Sequence, residues 1–147
     1  MILLSRRSLL AVTAVVDVAT HARPLPVAAK ALAARHNLPP RHLETLLQTL
    51  VRANILKGVR GPRGGYELAR ERRRITVGEI VRAAMEAGED EPEVESRLVS
   101  DVIAPLVSEA SGAFLAALDA ITVDDLCRRS DQSGVFGKAS ATSDFTI

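Results

Sequence analysis

The chain has no tryptophan, one tyrosine, three phenylalanines and one cysteine among 147 residues. With so few large rings, a core has to be built from Leu, Val, Ile and Ala, which favours packed helices over a sheet sandwich. A lone cysteine, Cys127, excludes an internal disulfide framework and any multi-thiolate metal site within one chain. It is the usage expected of a reducing cytoplasm. A net charge is nearly missing as well: 19 Lys and Arg stand against 18 Asp and Glu. No Ser/His/Asp set, no carboxylate pair in apolar surroundings and no GK[ST] phosphate loop stands out, which sets enzymes aside.

The near-neutrality conceals a division. Met1–Met85 carries 15 basic and 5 acidic side chains, whereas Glu86–Ile147 carries 4 and 13. A front end near +10 and a back end near −9 suggest that the first half meets a polyanion and the second does not.

Long apolar runs are scarce. Ser5-Arg6-Arg7-Ser8-Leu9-Leu10, followed by AVTAVV, has the look of a twin-arginine export signal. Asp17 interrupts the run, and no small-residue cleavage site precedes His21 and Arg23. The stretch also falls short of the roughly 20 apolar residues a membrane span needs. It reads instead as a buried helix from Ser5 to about Thr20, in a cytoplasmic protein with no membrane partner.

What is present is a pattern of short helices and one hairpin. Pro24 and Pro26 separate the first helix from a second over Val27–His36, with Ala28, Ala31 and Leu32 inward. Asn37 turns the chain, and Pro40 suits the first turn of a third helix, where its missing N–H costs nothing. Leu43, Leu46, Leu47 and Leu50 form an apolar stripe on that helix. Its other face carries Arg41, His42, Glu44, Thr45, Gln48, Thr49 and Arg52. Two short helices joined by a tight turn, the second polar and basic outside, make a helix-turn-helix. Strand-like segments at Ile55–Arg60 and Tyr66–Ala69 flank Gly61-Pro62-Arg63-Gly64-Gly65, a hairpin that reads as a wing.

Thr76-Val77-Gly78-Glu79 is a capping box opening a fourth helix, with Ile80, Val81, Ala84 and Met85 facing inward. An acidic loop is expected over 88–96. Beyond it a long helix bears Leu98, Val102, Leu106, Phe114 and Leu115, kinked or split by Pro105 near Ile103. Such a stripe outside a closed domain calls for a partner, most simply a second copy of itself. A short helix follows from Thr122. The expected organisation is mainly α: a winged helix-turn-helix DNA-binding domain over 1–87, the acidic loop, a dimerisation helix and short terminal helix over 97–129, and a disordered tail over 130–147.

Side-chain chemistry assigns roles. Gln48 and Arg41 can pair bidentately with adenine or guanine edges, while Thr45 and Thr49 suit phosphate or a thymine methyl. Arg63, between glycines at an exposed turn, suits a narrow minor groove. Arg72, Arg73 and Arg74 serve as backbone contacts or as a solvated turn. Tyr66 is read as packed under the wing, Cys127 as a buried small hydrophobe, and His21, His36 and His42 as surface or helix-end residues without a metal. An alternative reading is a degenerate winged helix that binds protein through the long helix.

RHLETLLQTLVRANILKGVRGPRGGYELAR, Arg41–Arg70, followed by ITVGEIVRAA, Ile75–Ala84, resembles the Rrf2 family of winged-helix regulators. The opening LAVTAVVDVA, Leu10–Ala19, is similar too. The resemblance implies a homodimer on a pseudo-palindromic double-stranded DNA operator; repression is the expected sense of regulation, with activation left open. It implies Arg41, His42, Thr45, Gln48 and Thr49 on the recognition helix and Arg60, Arg63, Gly64, Gly65 and Tyr66 in the wing. Sensor members of the family carry three cysteines after the fourth helix. Here that stretch, Glu86–Asp101, has none, so cluster-based sensing does not carry over and no cofactor is expected. A small-molecule effector stays open.

Overall fold

The computed structural model describes residues 3–86 and 96–137. Apart from Ser96, the expected acidic loop lies outside the described residues, as does the tail from Lys138 onward.

Helix α1, Arg6–His21, opens on Ser5, whose hydroxyl accepts from the Ser8 backbone. Ala11, Ala14, Val15 and Val18 are fully buried, and Leu9 stays exposed on the outer edge. Helix α2, Ala29–His36, begins two residues later than the sequence suggests. Val27 is held back because its N–H and C=O pair with Tyr66 at 2.9 and 2.8 Å. The later start rotates the inner face to Leu32 and Ala33, leaving Ala28 and Ala31 outside. Asn37 then turns the chain at φ +51°, an αL position that Asn tolerates.

Helix α3, Pro40–Arg52, starts with proline in its first turn. Leu43, Leu46, Leu47 and Leu50 are buried together, the face that the 3.6-residue period calls for. Strands β1, Leu56–Val59, and β2, Gly65–Leu68, pair antiparallel with Leu56 opposite Leu68 and Val59 opposite Gly65. A single turn of 3₁₀ helix, Arg72–Arg74, leads to α4, Val77–Glu86. The capping box forms: Glu79 N–H donates to Thr76 Oγ1 at 3.2 Å, and Thr76 N–H to Glu79 Oε2 at 3.0 Å. Ile80, Val81 and Ala84 face the core, but Met85, expected inside, is 55% exposed.

The last helix changes the domain boundary. Helix α6, Val123–Ser133, carries its own capping box between Thr122 and Asp125. Val123 and Cys127 lie in the same core as α1. The connection is tied down by Val77 N–H to Ile121 O at 2.8 Å and Val123 N–H to Ile75 O at 2.9 Å. The winged domain is therefore closed by α6, not complete at residue 87. α1 is apolar on more sides than α2, α3 and α4 cover, and α6 supplies the remaining wall. The expected disorder from residue 130 is also corrected for the described part. α6 runs to Ser133, Gly134 ends it at φ +68°, and Phe136 packs edge-on against His21 and His36 at 4.7 and 5.9 Å.

Between α4 and α6 stands an arm. A π-helical stretch, Val99–Ile103, continues directly into α5, Ala104–Asp119. Of the two outcomes expected of Pro105, a split near Ile103 is absent. Ile103 and Ala104 keep helical dihedrals, and the widened turn just before Pro105 is the adjustment a proline without an N–H calls for. No residue of α5 is buried. Leu98, Val102, Leu106 and Val107 are all about half exposed or more. The arm is anchored at its far end, where Arg82 of α4 donates to both Asp119 oxygens at 2.6 and 2.9 Å. Gly78 allows that approach, since a Cβ there would come 1.9 Å from Asp119 Oδ1.

Candidate nucleic-acid interface

Helix geometry sorts the polar side chains of α3. With 3.6 residues per turn, Arg41, Thr45, Gln48 and Arg52 fall at i, i+4, i+7 and i+11, on the side opposite the leucines. All four are exposed. Glu44 is exposed as well and is the one acid on this helix. His42 is exposed but sits at the edge of the stripe, toward Arg6 and Arg7 of α1. Thr49 corrects the sequence reading. It is only 9% exposed, donates to the Thr45 carbonyl at 3.0 Å and accepts from Arg7 Nη2 at 3.4 Å. A threonine on that flank of α3 meets α1 before it meets solvent.

The wing is joined to α3 and to the connection before α2. Gln48 Nε2 donates to the Tyr66 hydroxyl at 3.3 Å, so the one tyrosine spans the space between recognition helix and hairpin. Its ring packs against the core as a half-buried group. Gly65 is required by the Val27 pairing: a Cβ there would lie 2.3 Å from the Val27 carbonyl oxygen. Gly64 closes the turn by donating to Gly61 O at 2.9 Å. Arg60 and Arg63 are exposed at the hairpin end, and Lys57 pairs with Glu67 across the strands at 3.3 Å.

Two arginines whose partners the sequence did not resolve, Arg70 and Arg72, have distinct tasks. Arg70 donates to Asn54 O at 3.1 Å, Arg74 O at 3.2 Å and the Glu79 carboxylate at 3.3 Å, locking the wing base to the ends of α3 and α4. Arg72 turns away from the wing tip to Asp124 of α6, at 2.9 Å. Sequence spacing alone carries no signal for either partnership.

The helix-turn-helix is set on α1 through a buried charge. Asp17 is fully buried and accepts from Arg35 Nε at 2.8 Å, Arg35 Nη2 at 2.7 Å and His36 Nε2 at 2.7 Å. His21 Nδ1 stands 3.6 Å away. Burial alone would raise the Asp17 carboxyl; the hydrogen bonds from Arg35 and His36, with the charges of Arg35 and His21, outweigh it and hold the group below the ordinary carboxylate value. His21 and His36 are the last residues of α1 and α2, at the helix ends expected of them, and the fold turns both toward Asp17. Asp17 looked like a flaw in an apolar helix, and its partners lie 18 and 19 residues away, beyond any local pattern.

An exposed basic stripe on a helix, joined to a hairpin whose end carries two arginines, is suited to a major groove with a wing alongside. Comparison with known proteins identifies the family. Residues 4–129 match the Rrf2 family, described as iron-dependent transcriptional regulator. An HTH-type transcriptional regulator of Synechocystis sp. is 37% identical over 84% of this chain and 86% of its own length. Protein rrf2 of Nitratidesulfovibrio vulgaris is 30% identical over 85% and 87%. Among solved structures, T. potens IscR superposes with a TM-score of 0.70 at 32% identity, covering 88% of this chain and 89% of that one. CymR of B. subtilis, the global cysteine regulator, gives 0.69 at 27% identity, covering 89% and 100%. With the match spanning nearly all of the described fold, the chain belongs to the Rrf2 family of DNA-binding transcriptional regulators.

Proposed function

We propose that this regulator works as a homodimer that reads a pseudo-palindromic operator in the cytoplasm and represses from it, without an iron–sulfur cluster. The observation that carries the reading is the Arg41, Thr45, Gln48 and Arg52 stripe tied to the wing through Gln48 and Tyr66. Gln48 and Arg41 read base edges, Thr45 and Arg52 hold phosphates, and Arg60 and Arg63 follow the flanking groove. Gly64 and Gly65 shape the wing, and His42 flanks the helix start.

Support for the dimer comes from the arm. Val99–Asp119 is long and apolar enough to cross a membrane by length and composition, and none of it is buried. In a DNA-binding regulator, a second copy is the economical cover for such a face, and it places two recognition helices symmetrically. Leu98, Val102, Leu106, Phe114 and Leu115 form the seam.

A cluster does not fit the donors at hand. Iron–sulfur clusters are held mainly by cysteine thiolates. Cys127, the one cysteine of the chain, is 3% exposed, with its sulfur against the Thr20 hydroxyl at 3.9 Å. Among the described residues no group of three or more His, Cys, Asp and Glu is placed to hold a metal. Selection of bound sites from a genomic fragment library, using untreated protein, tests the whole reading. A two-fold symmetric motif is expected, and recovery of no motif would refute it.

A further inference from the structure

We propose a second binding site, at the head of the recognition helix, for a small amphipathic anion: a carboxylate or similar group carrying a compact apolar tail. A groove of about 430 Å³ lies between the N-terminal turns of α1 and the first turns of α3, within the size range of small-molecule pockets. Leu10, Leu38, Leu43 and Leu46 line it on the apolar side, and Arg6, Arg7 and His42 bring the polar groups. Among the described residues no carboxylate lines it.

Arg7 gives the groove its chemical preference. Among the described residues, its one hydrogen bond to a side chain is the long 3.4 Å contact to Thr49, and its buried Nε–H meets no partner. A buried guanidinium N–H left unpaired is costly, and such groups in folded proteins call for an explanation. A carboxylate accepts two guanidinium N–H groups side by side, while an alkyl or aryl tail is removed from water by the leucines. A DNA phosphate can meet Arg6 from outside, but it brings nothing apolar for the leucines. The combination of cationic rim and apolar wall therefore selects the amphipathic anion.

Occupancy reaches the DNA-binding surface directly. Arg7 braces α3 through Thr49, whose hydroxyl is bonded to the carbonyl of Thr45 on the outer stripe. An anion that draws the Arg7 guanidinium toward itself releases that brace and shifts α3 against α1. This coupling rests on the operator-binding reading; the site itself does not.

The test uses the full-length protein and octanoate as probe, with octanol and octyltrimethylammonium as controls. Titration calorimetry should show octanoate binding at least tenfold more tightly than either control. Arg7→Leu should abolish that preference, and Arg7→Lys should retain part of it. Leu10→Phe, which fills the groove, should weaken octanoate and octanol alike. Equal binding of octanoate and octanol, or octanoate binding unchanged in Arg7→Leu, overturns the site. In a separate arm, octanoate should shift operator affinity at least fivefold for wild type and not for Arg7→Leu. An unshifted affinity overturns the coupling. Absence of any DNA binding counts against the operator reading while the calorimetry still decides the site.

Discussion

Asp17 and Arg35 form a two-point ion pair across the junction of α1 and α2, with both Asp17 oxygens taken, at 2.8 and 2.7 Å. His36 adds a third bond to the same carboxylate, and Phe136, just past the end of α6, packs edge-on against the imidazoles of His21 and His36. The first two helices and the C-terminal segment thus converge on one buried charge. Arg35→Met leaves that carboxylate short of its principal partner and should destabilise the protein by about 3 kcal/mol in urea unfolding at neutral pH. An unfolding free energy equal to wild type would show that the pair is replaceable.

The same group gives stability a pH dependence. The folded Asp17 carboxyl lies below its ordinary value, so its contribution is complete above the unfolded carboxylate range, about pH 4 to 5, and is lost as pH falls through the depressed folded value. Asp17→Asn removes that component. Its unfolding midpoint should therefore change less between about pH 6 and pH 3 than that of wild type. Parallel acid limbs in the two proteins would assign the acid sensitivity to other carboxylates.

DNA affinity should be strongly salt dependent. If six to ten phosphates are neutralised, it should drop by about 10³–10⁵ between roughly 50 and 200 mM salt, readable by fluorescence anisotropy. A flat salt response would exclude phosphate contacts as the main source of affinity.

Helix and wing substitutions should behave differently. Gln48→Ala should alter the selected motif at one position in each half-site, with a loss of about 1–3 kcal/mol of discrimination. Arg63→Ala should weaken flanks with a narrow minor groove and leave Tm unchanged, because the side chain is exposed at the hairpin end. An identical selected motif for Gln48→Ala and wild type would remove Gln48 from base reading.

Charge in the arm should separate the protomers. Leu106, 63% exposed in the isolated chain, and Leu115 lie on the proposed seam, where an unpaired aspartate in an apolar contact is strongly unfavourable. Leu106→Asp and Leu115→Asp should sediment as monomers with much weaker operator binding. Persistence of dimers in both would move the interface elsewhere.

Protein purified without oxygen should be colourless, with neither iron nor sulfide in stoichiometric amount, and should bind its operator as isolated. Absorbance near about 400 nm that bleaches with nitric oxide or oxygen, together with matching iron, would restore a cluster.

Local physics was legible in the chain itself. The leucine stripe of α3, the capping box at Thr76, the helix start at Thr122, the Gly-Pro-Arg-Gly-Gly turn and the change of charge at residue 86 each depend on neighbours a few positions apart. Periodicity, hydrogen-bond reach and turn geometry act over that range, so helix-turn-helix and wing could be derived before any coordinates. Tertiary structure decided everything that depends on which element covers which. It buried Thr49 against Arg7, moved the start of α2 by pairing Val27 with Tyr66, and returned α6 to the core. It also turned Asp17 from an interruption into the point where Arg35 and His36 converge. These outcomes rest on contacts between residues as far as 115 positions apart, the separation of His21 and Phe136. One-dimensional spacing cannot encode such contacts, because they are selected only when all the helices compete for the same interior.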